Sequence, residues 1–111
     1  MSDNSRSEAH KAKYRIAIIG GTGKEGRGLA YRWALAGHEI IIGSRAIEKA
    51  QLAADEVNAL LKGEACKVSG LENFQAADWA EVIVLTVPFS AHVNTLEYLK
   101  DAVKGKIVID V

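Results

Sequence analysis

A chain of 111 residues has room for one compact domain with a real core, and little room for a separate substrate domain. Its 14 basic and 14 acidic residues balance, and its apolar and charged fractions of 49% and 25% are those of an ordinary globular protein; bulk electrostatics therefore gives no basis for a nucleic-acid partner or a membrane surface. No uninterrupted apolar run approaches the roughly 20 residues that span a bilayer, and the polar start Met1-Ser2-Asp3-Asn4-Ser5-Arg6 lacks a signal-peptide core, so a cytoplasmic location is expected.

Residues 1–13 are polar and without periodicity, so ordering them would cost entropy with little apolar burial in return; they are predicted to be a disordered tail ahead of a single domain over 14–111. Tyr14 to Ile19 reads as a buried strand ending in glycines. A helix follows, with Gly26, Ala30 and Ala34 as its small-residue face, Leu29 and Trp33 beside them, and Gly37 as its stop. Glu39 to Gly43 is the second strand. Ala46 to Lys62 is the second helix, with Ala50, Ala53, Ala54, Val57, Leu60 and Leu61 inward and Gly63 closing it.

A weak third strand is placed around Ala65 to Ser69, followed by a polar connection through Asn73 and Asp78 with at most one helical turn. Glu81 to Val87 is a clear fourth strand, stopped by Pro88. Val93, Leu96, Leu99 and Val103 carry the next helix, and Ile107 to Val111 a fifth strand. Alternating strands and helices imply an α/β fold of Rossmann type, a doubly wound parallel sheet of strand order 3-2-1-4-5, whose ligand lies beyond the carboxyl ends of the strands.

That rim carries the motif. Gly21, Gly23 and Gly26 form G-x-G-x-x-G after a strand and at the start of a helix, where glycine permits a tight bend and close approach of a pyrophosphate to the backbone. Thr22 offers a hydroxyl to the phosphate cradle, while Lys24 and Glu25 complete the turn with side chains free to face water. An NAD site commonly has an acid after the second strand to accept from the ribose 2′-hydroxyl. Ser44 and Arg45 stand there instead, with Lys49 one turn on, which suits the 2′-phosphate of NADP.

Thr86, Val87 and Pro88 reach the same rim from the fourth strand and are placed by the nicotinamide, against the alternative of a strand end capped by proline. His92 is weighed as a proton donor against a solvent-facing histidine at a helix start, and no catalytic residue is assigned. Trp33 and Trp79 are read as packing residues. Cys66 is the single cysteine, without Cys or His at metal-ligand spacing; it is read as a structural thiol, and no metal site is expected.

The segments Ile18-Ile19-Gly20-Gly21-Thr22-Gly23, Gly26-Arg27-Gly28-Leu29-Ala30, Gly37-His38-Glu39-Ile40, Gly43-Ser44-Arg45 and Val84-Leu85-Thr86-Val87-Pro88 together resemble the NADPH-dependent reductases of the deazaflavin coenzyme F-420. The resemblance implies that Thr22, Ser44, Arg45 and Lys49 hold the adenosine phosphate end of NADP, and that Thr86, Val87 and Pro88 lie by the nicotinamide. It also implies hydride transfer between nicotinamide C4 and deazaflavin C5, a reaction that needs alignment rather than a protein nucleophile. Family members continue past the position of Val111 into a region that completes the deazaflavin pocket and a homodimer interface. Two other readings share the glycine turn: another NADP reductase, of imines or hydroxyacids, and a non-catalytic NADP-binding module.

Overall fold

The computed structural model describes residues 13–63 and 68–111, apart from the Phe89 side chain. The expected tail other than Lys13, the first three residues of the expected third strand, and Cys66 lie outside the described residues.

Among the described residues five strands alternate with four α-helices: β1 (Arg15–Ile19), α1 (Lys24–Leu35), β2 (Glu39–Ser44), α2 (Ile47–Leu61), β3 (Ser69–Glu72), α3 (Asn73–Trp79), β4 (Val82–Leu85), α4 (His92–Val103) and β5 (Ile107–Asp110). Every strand pair is parallel and the order is β3-β2-β1-β4-β5, the 3-2-1-4-5 arrangement expected from the alternation.

The interiors of the central strands, Ile16 to Ile19, Ile40 to Ile42 and Val82 to Leu85, are apolar throughout because both faces of the sheet are covered. Ile16, Ile18, Ile40, Ile42, Val82 and Val84 point into one core with α1 and α2. Ala17, Ile19, Ile41, Ile83 and Leu85 point into the other with α3 and α4. Alanine spacing on the helices lets them lie close to the sheet. A methyl group on Gly70 would meet the Ala50 backbone at 2.4 Å, so α2 presses directly on β3. The Asn58 side chain pins the same pair by bonding both the N–H and the carbonyl of Val68 at 2.8 Å. Trp33 and Trp79 each pack partly buried against one of the two cores, as packing residues do.

Several expected boundaries shift. The third strand runs Ser69–Glu72, later than its sparse apolar pattern suggested, because Gly70 and Leu71 find their partners beside Ile42 and Gly43. The polar connection after it is the seven-residue helix α3, started by the Glu72 carboxylate accepting from Phe74 N–H at 3.1 Å and closed by Lys106, whose ammonium donates to the Ala77 carbonyl at 2.7 Å. Strand β4 ends at Leu85 rather than Val87, since the Thr86 hydroxyl ties the chain to β1 and turns it off the ladder. Lys62, not only Gly63, takes a left-handed conformation at the end of α2, with φ of 54°.

The carboxy-terminal third is less enclosed than its sequence suggested. Val93 and Leu96 are exposed and α4 buries only Leu99 and Ala102, while on α2 Leu60 is exposed as well. Strand β5 is an edge strand whose Ile107, Val108 and Ile109 are all exposed, since it pairs on one side with β4 and belongs to neither core. Among the described residues no helix is long and apolar enough to cross a membrane.

Candidate cofactor crevice

The site begins at the end of β1, where the chain must turn sharply from strand to helix. Gly20 has φ of +69°, the left-handed region that glycine adopts without steric cost, and a methyl group there would meet Val87 Cγ1 at 2.5 Å. Gly21 N–H donates to the Gly43 carbonyl at 3.0 Å, fixing the turn to β2. A methyl on Gly26 would lie 2.6 Å from the Gly21 carbonyl oxygen, so Gly26 is a packing glycine.

Gly23 differs. No atom lies within 4 Å of where its side chain would be, and as the N-cap of α1 it makes no side-chain bond to the first-turn amides. The N–H groups that open α1 thus have no intrahelical partner and face the positive end of the helix dipole outward, a ready anion site. The space beside Gly23 belongs to whatever approaches those amides.

A crevice of about 850 Å³ runs along the carboxyl ends of the strands. Thr22, Ser44, Arg45, Lys49, Thr86, Val87 and Pro88 all line it, so residues up to 66 positions apart in sequence converge as the topology required. Gly21 and Gly26 are buried in the turn beneath it. Gly23, Lys24 and Glu25 are exposed, and the Lys24 side chain lines a separate shallow groove between α1 and α2 with Arg27 and Glu56, which pair with each other. Neither Lys24 nor Glu25 lines the crevice.

At the β2 end of the crevice, Ser44 is 8% exposed and its Oγ accepts from Ala46 N–H at 3.1 Å, leaving the hydroxyl proton for another acceptor. The Arg45 and Lys49 residues are exposed, and their side chains form no hydrogen bond or ion pair among the described residues. A carboxylate does line the crevice, but on β3: Glu72 has one oxygen on Phe74 N–H and the other accepting from the Tyr98 hydroxyl at 2.8 Å. That hydrogen bond, followed by burial and the Glu72 charge, raises the Tyr98 phenol above its ordinary pKa of 10.0.

At the β4 end, the Thr86 hydroxyl bonds the carbonyls of Ile19 and Gly20 at 2.9 and 3.0 Å, locking this loop to the glycine turn. His92 Nε2 lies 3.0 Å from the Val87 carbonyl and Nδ1 lies 3.2 Å from an Asp110 carboxylate oxygen. Both ring nitrogens face protein acceptors and the ring does not line the crevice, so the geometry makes His92 a brace for the loop. Glu72, Asn73, Asn94, Thr95 and Tyr98 also line the crevice and escaped the sequence reading, because only the packing of α3 and α4 brings them there. No group of three or more potential metal ligands occurs among the described residues.

Residues 15–111 match the family model described as NADP oxidoreductase coenzyme F420-dependent. The chain is 52% identical over 96 residues to the F420-dependent NADP reductase of Methanothermobacter marburgensis, covering 86% of this chain and 43% of that protein. It is 44% identical over 99 residues to the reductase of the same name from Methanocaldococcus jannaschii, with 87% and 44% covered. A crystal structure from Arthrobacter sp. FB24, assigned provisionally as an F420-dependent NADP-reductase, superposes with a TM-score of 0.69 at 31% identity over 88% of this chain and 45% of that one. The lactate dehydrogenase of Cryptosporidium parvum shares the fold, with a TM-score of 0.71 at 21% identity over 91% of this chain and 35% of that one. This chain spans less than half the length of the curated relatives it matches. By its family model, over nearly all the residues the structure describes, the chain belongs to the coenzyme F420-dependent NADP oxidoreductases.

Proposed function

We propose that residues 14–111 form the NADP-binding domain of an oxidoreductase that passes hydride between NADP(H) and the deazaflavin coenzyme F-420. The observation that carries the reading is the β2 end of the crevice. There two cations whose side chains have no partner among the described residues, Arg45 and Lys49, accompany the buried Ser44 where an NAD site places an acid.

The donor set fits the cofactor along its length. Arg45, Lys49 and Ser44 hold the 2′-phosphate by charge-assisted hydrogen bonds. The first-turn amides of α1 and the open side of Gly23 take the diphosphate. Thr86, Val87 and Pro88 form the wall for the nicotinamide, held in place by the Thr86 bonds to β1 and by His92. The bound dinucleotide supplies the hydride; the protein's part is to align it and to exclude water, and no residue of this chain is asked to act as nucleophile. Acceptance of the hydride by the deazaflavin is supported by the names of the relatives, and a homodimeric full-length form and a cytoplasmic location are part of the same proposal.

The test is calorimetric titration with NADPH and NADH, followed by NADPH-driven bleaching of F-420 absorbance by this chain and by the chain joined to the carboxy-terminal half of the Methanothermobacter relative. Preference for NADPH supports the nucleotide assignment, and bleaching by the joined protein supports the acceptor. Equal affinity for the two dinucleotides overturns the 2′-phosphate argument.

A further inference from the structure

The Asn73 side chain is 94% buried and lines the crevice, at the point where β3 gives way to α3. Its Oδ1 accepts from Gly20 N–H at 3.3 Å, and because a backbone N–H can only donate, this contact fixes which way round the amide sits. Its Nδ2 therefore carries two protons turned elsewhere, and neither meets an acceptor among the described residues. A buried donor left unpaired is costly, so an acceptor must come from the contents of the crevice, solvent in the free protein and ligand in the complex.

The position of the amide identifies the ligand atom. Asn73 packs against Gly43, where an added methyl would lie 2.7 Å from Oδ1, and it bonds Gly20. Gly43 leads directly into Ser44 and Arg45, and Gly20 into the glycine turn. The side chain thus spans the start of the 2′-phosphate end and the start of the diphosphate end. The part of the dinucleotide that joins those two ends is the adenosine ribose.

We propose that Asn73 is a specificity-determining residue, whose Nδ2 donates to an oxygen of the 2′-phosphorylated ribose of NADP. The inference rests on the proposed NADP site and adds a contact to it. A neutral donor serves a phosphorylated sugar, whose oxygens are acceptors. A carboxylate in the same place would repel the phosphate. Gly43 is then a glycine because any side chain there would displace the Asn73 amide.

The variant Asn73→Leu, close to isosteric, removes the Nδ2 donor without adding a charge. Titration of this variant is expected to lower the preference for NADPH over NADH by about tenfold or more. A merely structural Asn73 would leave that ratio unchanged, whether or not overall affinity fell, and an unchanged ratio overturns the proposal. Should the variant fail to fold, side-chain amide NMR of the unsubstituted chain decides: the Asn73 Nδ2 protons are expected to shift on addition of adenosine 2′-phosphate, and their failure to move while it binds overturns the proposal. Failure of the unsubstituted chain to bind either NADPH or adenosine 2′-phosphate would bring down the nucleotide reading itself, and this contact with it.

Discussion

Gly26 lies so close to Gly21 that a methyl group on it would stand 2.6 Å from the Gly21 carbonyl oxygen. The obstacle is backbone, held by its own bond to Gly43, and cannot rotate away. Gly26→Ala is expected to destabilise the fold by about 1–3 kcal/mol despite the better helix propensity of alanine, read as a lower denaturant midpoint.

Gly23 separates binding from folding. Its φ of −79° and ψ of 178° suit any residue, and its surroundings are open. Gly23→Ala should therefore change stability by only about 0.5 kcal/mol, as an N-cap effect. It should also weaken NADPH about tenfold or more, because the methyl occupies the approach to the α1 amides. Full affinity in a calorimetric titration would mean that the diphosphate lies elsewhere.

Removing the Arg45 guanidinium takes away charge-assisted hydrogen bonds of about 1.5–3 kcal/mol, which corresponds to an NADPH affinity lower by about ten- to a hundredfold. NADH, without the 2′-phosphate, should bind Arg45→Ala as it binds the unsubstituted chain. Because Arg45 and Lys49 are exposed, the NADPH advantage should also shrink as salt is raised.

His92 and Asp110 should be coupled, since the ring joins the Val87 carbonyl to the end of β5. His92→Gln and Asp110→Asn are expected to destabilise non-additively, with a double-mutant coupling of about 0.5–1 kcal/mol given that Asp110 is largely exposed. Amide exchange in residues 86–91 should quicken in either variant. Strict additivity would remove His92 as the brace of this loop.

Tyr98 offers a pH readout at the β3 side of the crevice. Its raised pKa means that the phenol favours the folded state while protonated, so its contribution is present below pH 10 and is lost as pH rises through the folded value. The ring is exposed, so the effect on stability is slight. The ionisation is the useful signal: in NMR of ring-labelled tyrosine, Glu72→Gln should lower the Tyr98 midpoint, because the hydrogen bond and the charge that raise it come from Glu72. An unmoved midpoint would show that the Glu72 contact does not persist in solution.

The parts of this protein legible in its sequence were those with a local cause. Apolar runs with no polar position could only be strands covered on both faces, so β1, β2 and β4 were found and the parallel sheet followed from their alternation with helices. The glycine turn was found because its spacing is a backbone requirement. Where an element owes its form to a neighbour, the sequence was weaker. Strand β3 is a four-residue strand, Ser-Gly-Leu-Glu, held by its pairing with β2, and α3 is a helix of seven residues fixed by the Glu72 carboxylate and the Lys106 ammonium. The α4 stripe of Val93 and Leu96 was read as core, but a stripe reports only what a helix is able to bury.

The sequence by itself determined the α/β class, the strand order and the position of the glycine turn between β1 and α1, because these follow from periodicity and backbone sterics along short stretches of chain. Tertiary structure alone decided the division of labour among the glycines, with Gly26 set by packing and Gly23 by open space. It alone turned the Lys24 side chain away from the crevice, made a brace of His92, and brought Glu72, Asn73 and Tyr98 to the cofactor end. Those outcomes depend on distances between residues far apart in the chain, and such distances are fixed only when the helices close onto the two faces of the sheet.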